Sequence, residues 1–388
     1  MRAIPLYVSR RYGNGTNPLQ LTERDVNLRR VLQTPDFVNL PGADGFGGPE
    51  TDFHHNSVRG GVFGALESQP HNIVHVEIGG SDPQLPRPVS AGLMTDPDTA
   101  ALDPIFWLHH ANIDRLWEVW LNRLEAHRNP TIGRWLNGPL DRKLIVPKVD
   151  GEDWEFTPQD MLITTASDLN YEYDDILDPL GGGTRFSLRL RQLNVPAIDT
   201  NEDSSDMMQQ PELPKPQIEI VGTSEQAIDL TGERASARVR LDMKTMEKVN
   251  RSFRLFSTPP TAIPEPDRIF LNVENIRSNQ DGAVVEVYLN PHRSDNFADY
   301  SDYYVGAIAF FGVGKASSAE ESHGSSGVTQ VFEITELIDR LYLNQELELE
   351  NIENVSVELV NRREIPAEDN ATVGTISIYR QKAERQAE

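Results

Sequence analysis

The chain has 388 residues, 60 acidic against 36 basic, for a formal net charge of −24. That length accommodates two or more domains with sizeable cores. The acid excess disfavours nucleic acid and anionic membranes as partners, and the absence of cysteine excludes disulfides and thiolate chemistry.

Taken in chain order, residues 1–15 carry charges and no apolar core, so they do not read as a secretory leader. No later apolar run approaches a membrane span. With cysteine absent, a soluble protein of a reducing, cytoplasmic compartment is the expectation. Residues 53–64 are Gly-rich and read as loop, with His54 and His55 in it. Pro70 then precedes a short helix in which His71 and His75, four apart, share a face, and Gly79-Gly80 closes it. Residues 81–102 are rich in Pro, Asp and Thr and read as a loop. Asp103 is a predicted N-cap with Pro104 at the first helical position. The following helix carries an apolar stripe of Ile105, Phe106, His109, Ile113, Leu116, Trp117, Trp120, Leu121 and Leu124. His110 and Asp114 are four apart, which suggests a carboxylate orienting an imidazole through its second nitrogen. His127 reads as solvent-facing, and His292 and His323 as loop residues.

Residues 196–215 are acidic, Pro-rich and carry Met and Gln, a linker composition open to proteolysis. Residues 216–388 read as all-β. Apolar or alternating runs recur between turn signals, such as 217–221, 237–241, 269–273, 283–289, 304–311, 328–334, 355–360 and 375–379. An antiparallel β-sandwich or jelly roll is expected. The fold class is α+β and multidomain: a helical half-bundle over residues 1–195, the linker, and a C-terminal β-domain over 216–388.

Three imidazoles from two facing helices make a metal cage, and imidazole suits copper, zinc, iron or nickel. The pattern of His71-Asn72, His75 and Gly79-Gly80, followed by the run from Asp103 to Trp117 (DPIFWLHHANIDRLW), resembles the copper-B half of the tyrosinase family. That family comprises tyrosinases, catechol or polyphenol oxidases, and molluscan-type hemocyanins, with a coupled binuclear copper site. The resemblance makes His71, His75 and His110 the copper-B ligands and His109 an outer neighbour. It matches Asn72 and Glu67 to a pair that holds a water near the copper, a general-base arrangement. It sets the loop at the active-site mouth, with Met94, Thr95 and Pro97 there. Of Phe106 and Trp107, one is expected in the core and one near the pocket.

Nothing before His71 resembles a copper-A site, and the opening from Pro5 to Arg11 resembles the segment just after that site in relatives. The chain therefore reads as the second half of an enzyme, either a fragment of a longer precursor or a half-enzyme with a separate copper-A partner chain, and loss of copper-A is a third reading. Asp153-Trp154 and the stretch 168–174 resemble the segment and tyrosine motif that close the catalytic domain in plant-type oxidases, with the tyrosines anchoring the chain. The β-domain resembles one that covers the copper pocket in latent oxidases. The implied activity is oxidation of phenols and o-diphenols to o-quinones by dioxygen. The alternatives are a hemocyanin-like oxygen carrier and a non-catalytic single-copper subunit.

Overall fold

The computed structural model describes residues 21–49, 61–81, 91–124, 126–139, 143–166, 168–181, 217–254, 266–289, 297–318, 327–344, 346–347, 349–350 and 352–383. The opening segment, His54, His55, the linker 196–215, His292 and His323 lie outside the described residues. Among the described residues no helix is long and apolar enough to cross a membrane.

The helical half holds α1 (Arg29–Gln33), α2 (Ile73–Gly79), α3 (Pro104–Arg123) and α4 (Gly133–Leu136). Helix α3 starts where its sequence says: the Asp103 carboxylate accepts from the Ile105 amide at 3.0 Å and Pro104 opens the first turn. Its inner face buries His109, Leu116, Val119 and Trp120. Trp120 stacks on Phe46 at 4.5 Å and donates its indole N–H to the Thr34 carbonyl at 2.7 Å. His127 departs from expectation. It is 5% exposed, stacks on Trp120 at 4.2 Å and donates Nδ1–H to the Trp120 carbonyl at 2.5 Å. The chain turns extended at Leu124 (φ −136°, ψ 140°) and folds back over the helix end, which local polarity does not reveal.

Strand β1 (Gly61–Val62) precedes α2, and β2 (Leu144–Pro147) pairs with β3 (Asp153–Phe156) as a small ribbon. The C-terminal region supplies β4 (Ile218–Ser224), β5 (Ile228–Asp229), β6 (Gly232–Leu241), β7 (Arg268–Ile276), β8 (Val284–Leu289), β9 (Tyr304–Ala309), β10 (Val328–Glu333), β11 (Asn354–Ile365), β12 (Thr372–Val373) and β13 (Thr375–Gln381). All but β5 and β12, which pair with each other, join β1 in one curled nine-stranded sheet, ordered β1-β10-β7-β13-β4-β6-β11-β8-β9. Every pairing is antiparallel except β1 with β10.

The expected two-sheet sandwich or jelly roll is thus replaced by one mixed sheet, and the region is not all-β. Helices α5 (Met243–Phe253), α6 (Val313–Ser317) and α7 (Thr335–Leu343) interrupt it. Met246, Val249 and Phe253 of α5 and Leu337, Ile338 and Leu341 of α7 share one core with Ile269, Leu289, Val355 and Leu359 of the sheet. Helices therefore bury a face that a second sheet would otherwise cover.

The two halves interlock. Strand β1, from the helical half, adds to the sheet edge at Gly61↔Val328 and Val62↔Thr329. Gln330 donates to Ser68 Oγ at 2.7 Å, and Arg30 donates to the Val331 carbonyl at 2.9 Å. Ile73 and Val76 of α2 pack on Val284, Ala307 and Ala309 of the sheet.

Candidate metal centre

The turn from Glu67 to Asn72 leads into α2 and is broken at Gln69, whose extended backbone (φ −151°, ψ 124°) lies beside Pro70. The predicted helix start at His71 is therefore an irregular turn, and regular helix begins at Ile73. Gly80 (φ 66°) closes α2. Gly79 is needed for contact: a Cβ there would lie 2.2 Å from Thr95 Oγ1 and 2.3 Å from Thr95 N. The loop 91–98 can consequently lie directly on the helix end.

This arrangement brings four imidazoles together. His71 and His75 each place Nε2 against Nε2 of His110, at 3.3 and 3.2 Å. His71, His75 and His109 also offer ring nitrogens within 4.8 Å of one another, the one such group of three among the described residues. Each of the first two rings is set by its other nitrogen. His71 Nδ1 donates to Asn72 Oδ1 at 2.8 Å, and His75 Nδ1 donates to the Met94 carbonyl at 2.8 Å. Both Nε2 atoms are thereby left with free lone pairs. Phe106 stacks on His110 at 4.0 Å. His109 stacks on His71 at 5.3 Å, its ring bonds the His71 backbone, and its buried Nε2 has no partner among the described residues.

Burial makes all four rings poor bases. His75 and His109 are pushed down to about 4, and His71 and His110 are also lowered, in each case chiefly by desolvation. They are neutral at pH 7, the state in which imidazole binds metal. Half-buried Glu67 moves the other way. Its carboxyl accepts from the Gly64 amide at 3.4 Å, yet desolvation raises it to about 7. The buried Nδ2 of Asn72 has no partner among the described residues.

Other expected residues fall elsewhere. Asp114 Oδ2 accepts from the Tyr171 and Tyr173 hydroxyls at 2.5 and 2.6 Å, so the tyrosine segment, and not His110, takes up its carboxylate. The spacing to His110 suits contact, but two hydroxyl donors arrive from 57 and 59 residues away. Met94 and Thr95 are fully buried and do not line an entrance. Met94 acts through its carbonyl, and Thr95 donates to the Gly80 carbonyl at 3.0 Å. Pro97 is half-buried, 3.7 Å from where a Gly312 Cβ would stand. Phe106 is at the histidines, whereas Trp107 is 64% exposed and in neither the core nor the pocket.

Two features of the site were not expected from the sequence. Phe311, two residues after β9, lies parallel over His75 at 4.1 Å and edge-on to His71 at 5.7 Å. Arg362, in β11, reaches Glu77 of α2 at 3.0 Å. An aromatic pair closing a strand before a glycine, and a double arginine in an apolar strand, were the available signals.

Nitrogens held 3.2–3.3 Å apart fit one ion, since metal–nitrogen bonds of about 2.0–2.1 Å space tetrahedral ligands about 3.3–3.4 Å apart. Neutral, oriented imidazoles on a helical core backed by a β-domain form a site whose donors suit a metal ion. Residues 7–123 match the family described as the common central domain of tyrosinase, and residues 217–381 match a domain of unknown function (DUF7868). Tyrosinase HcTyr1 of Hahella sp. (strain CCB-MM4) is 28% identical over 359 residues, 92% of this chain and 64% of that protein. The chain thus spans less than two thirds of that relative's length. Over 58 residues, 15% of the chain and 2% of the relative, it is 48% identical to a G-type hemocyanin of Enteroctopus dofleini. The solved structure of latent apple tyrosinase shares the fold at a TM-score of 0.54 and 20% identity, covering 97% of this chain and 72% of that one. Residues 7–123 therefore carry a tyrosinase-type central domain, and the chain as a whole is similar to tyrosinases and polyphenol oxidases.

Proposed function

We propose that this chain supplies the copper-B half of a binuclear copper oxidase acting on phenols and o-diphenols, with His71, His75 and His110 as ligands. The observation that carries this reading is the approach of His71 Nε2 and His75 Nε2 to His110 Nε2, at 3.3 and 3.2 Å. His109 is an outer neighbour whose ring packs on His71 and bonds its backbone. Copper at this site supplies the redox chemistry by which dioxygen oxidises a diphenol to an o-quinone. The protein's part is to orient and to move protons. Asn72 and the Met94 carbonyl hold the His71 and His75 rings with Nε2 inward. Glu67, raised to about 7, takes the phenol proton through a water that Asn72 Nδ2 helps to hold.

Leu102, Trp107 and Leu108, at the start of α3, are 58%, 64% and 71% exposed. A second reading has its own support. Phe311 over His75 shields the site, as a hemocyanin-like oxygen carrier would require. Diphenol turnover by the completed protein separates oxidase from carrier.

The direct test is copper content after reconstituting this polypeptide and removing loosely held metal. About one copper per chain is expected of a single three-histidine site. Two would place a second site within this chain, and none would refute the assignment of these ligands.

A further inference from the structure

Helix α2 has only seven residues, Ile73–Gly79. An isolated helix of that length does not hold itself together in water. The direction in which His75 points is therefore set by what α2 is docked against. One side is the loop 91–98. The other is the β-domain, through Ile73 and Val76 on Val284, Ala307 and Ala309.

Two residues beyond His75, the Glu77 carboxylate is 3% exposed. It accepts from Arg362 Nη1 of β11 at 3.0 Å. The same guanidinium forks onto Asp25 at 3.0 and 2.6 Å, and Asp25 is fully buried. Its Nε donates to Glu286 of β8 at 3.0 Å. One buried arginine thus joins the start of the described chain, the metal-bearing helix and two strands of the sheet. A rigid, planar five-donor fork fixes the relative placement of its carboxylates in a way a single ammonium cannot.

We propose that Arg362 is a positioning residue for the metal site, and that the C-terminal β-domain is a permanent part of that site and not a removable cover. The inference rests on the ligand assignment above. Its role for the domain is to hold α2, and with it His75, in register with His110. The shared strand β1–β10, the Gln330–Ser68 bond and the Arg30–Val331 bond point the same way, since departure of the domain would break each of them.

The test uses the full chain and cobalt(II), whose visible spectrum reports ligand geometry. Arg362→Met should weaken cobalt(II) binding by about tenfold or more, the scale on which loss of an outer partner weakens a metal site, and should change the spectrum. The control is Arg380→Met, which removes an equally buried arginine paired with Asp267 and Glu219 inside the β-domain. It should lower thermal stability and leave cobalt(II) affinity and spectrum as in wild type. Equal loss of affinity in both variants, or none in Arg362→Met, overturns the proposal. Should Arg362→Met not fold, Arg362→Lys keeps the charge and loses the fork. Weakened binding with an altered spectrum supports the proposal, and wild-type behaviour overturns it. A protease site placed within 196–215 adds a second readout. After cleavage the two pieces should co-elute at high salt with cobalt(II) affinity intact, and separation with affinity retained counts against a permanent domain. Failure of the wild-type chain to bind cobalt(II) or copper would instead refute the ligand assignment itself.

Discussion

Glu67 and the four histidines are moved by the same cause in opposite directions: desolvation raises a carboxyl and lowers an imidazole. For Glu67 the consequence for stability has a definite sign. Its folded value of about 7 lies above the ordinary glutamate value of 4.5, so the folded chain binds more protons between those limits. Stability contributed by this group falls as pH rises through that window. Glu67→Gln should therefore raise the Tm of the metal-free chain at pH 8 by a few degrees and leave it nearly unchanged at pH 4. Calorimetry at the two pH values checks this, and an equal shift at both would show an ordinary carboxylate. The residues that were legible in the sequence act over short spacings: His71, Asn72 and His75 within one turn, and His110 next to His109. Those that were not legible act across the chain. Phe311 meets His75, and Arg362 meets Asp25 and Glu77, at separations that no local pattern encodes. The family resemblance of its loop sets Met94 at the mouth, whereas its contact with the site is through a backbone carbonyl.

At the scale of the element, α3 carries two of the four histidines and depends on its first turn. Asp103 is 2% exposed and caps the Ile105 amide, one of the amides that a helix start leaves without a partner. Asp103→Ala should cost about 1 kcal/mol, the usual scale for losing such a cap, whereas Asp103→Asn should cost a few tenths. Urea denaturation of the two variants measures the difference, and equal losses would show that the carboxylate serves another contact. The cap and the proline were readable because they are local. The helix α5 was readable by the same rule and was missed. Asp242 caps Thr245 at 2.9 Å, and Met246, Val249, Asn250 and Phe253 recur at helical spacing. The strands on either side set an expectation of alternation, under which a short helical period is easily passed over. The strands themselves were found because one buried face imposes a period of two.

Over the whole molecule, the sequence does not disclose how the two halves meet, because a curled sheet that takes in β1 from the helical half is a property of long-range pairing. That seam separates two notions of a cover. The β-domain as a body is held by a shared strand and a buried arginine, whereas the ring over the histidines comes from a short turn. Phe311 is followed by Gly312 in the left-handed region (φ 76°) and by the five-residue helix α6. That turn is tied to the loop 91–98 by the exposed Lys315–Asp98 ion pair, a type of contact worth little in water. Access to the histidines should therefore change when this turn changes, with the domain still in place. Phe311→Ala, loaded with copper(II), should bind 4-nitrocatechol at least about tenfold more tightly than the wild-type chain, since about 1.4 kcal/mol of shielding already corresponds to that factor. The shift of the catechol's visible band on coordination gives the affinity directly, and thermal melts confirm that the domain stays folded. Equal affinities in the two proteins would mean that Phe311 packs beside the ligand path and does not close it.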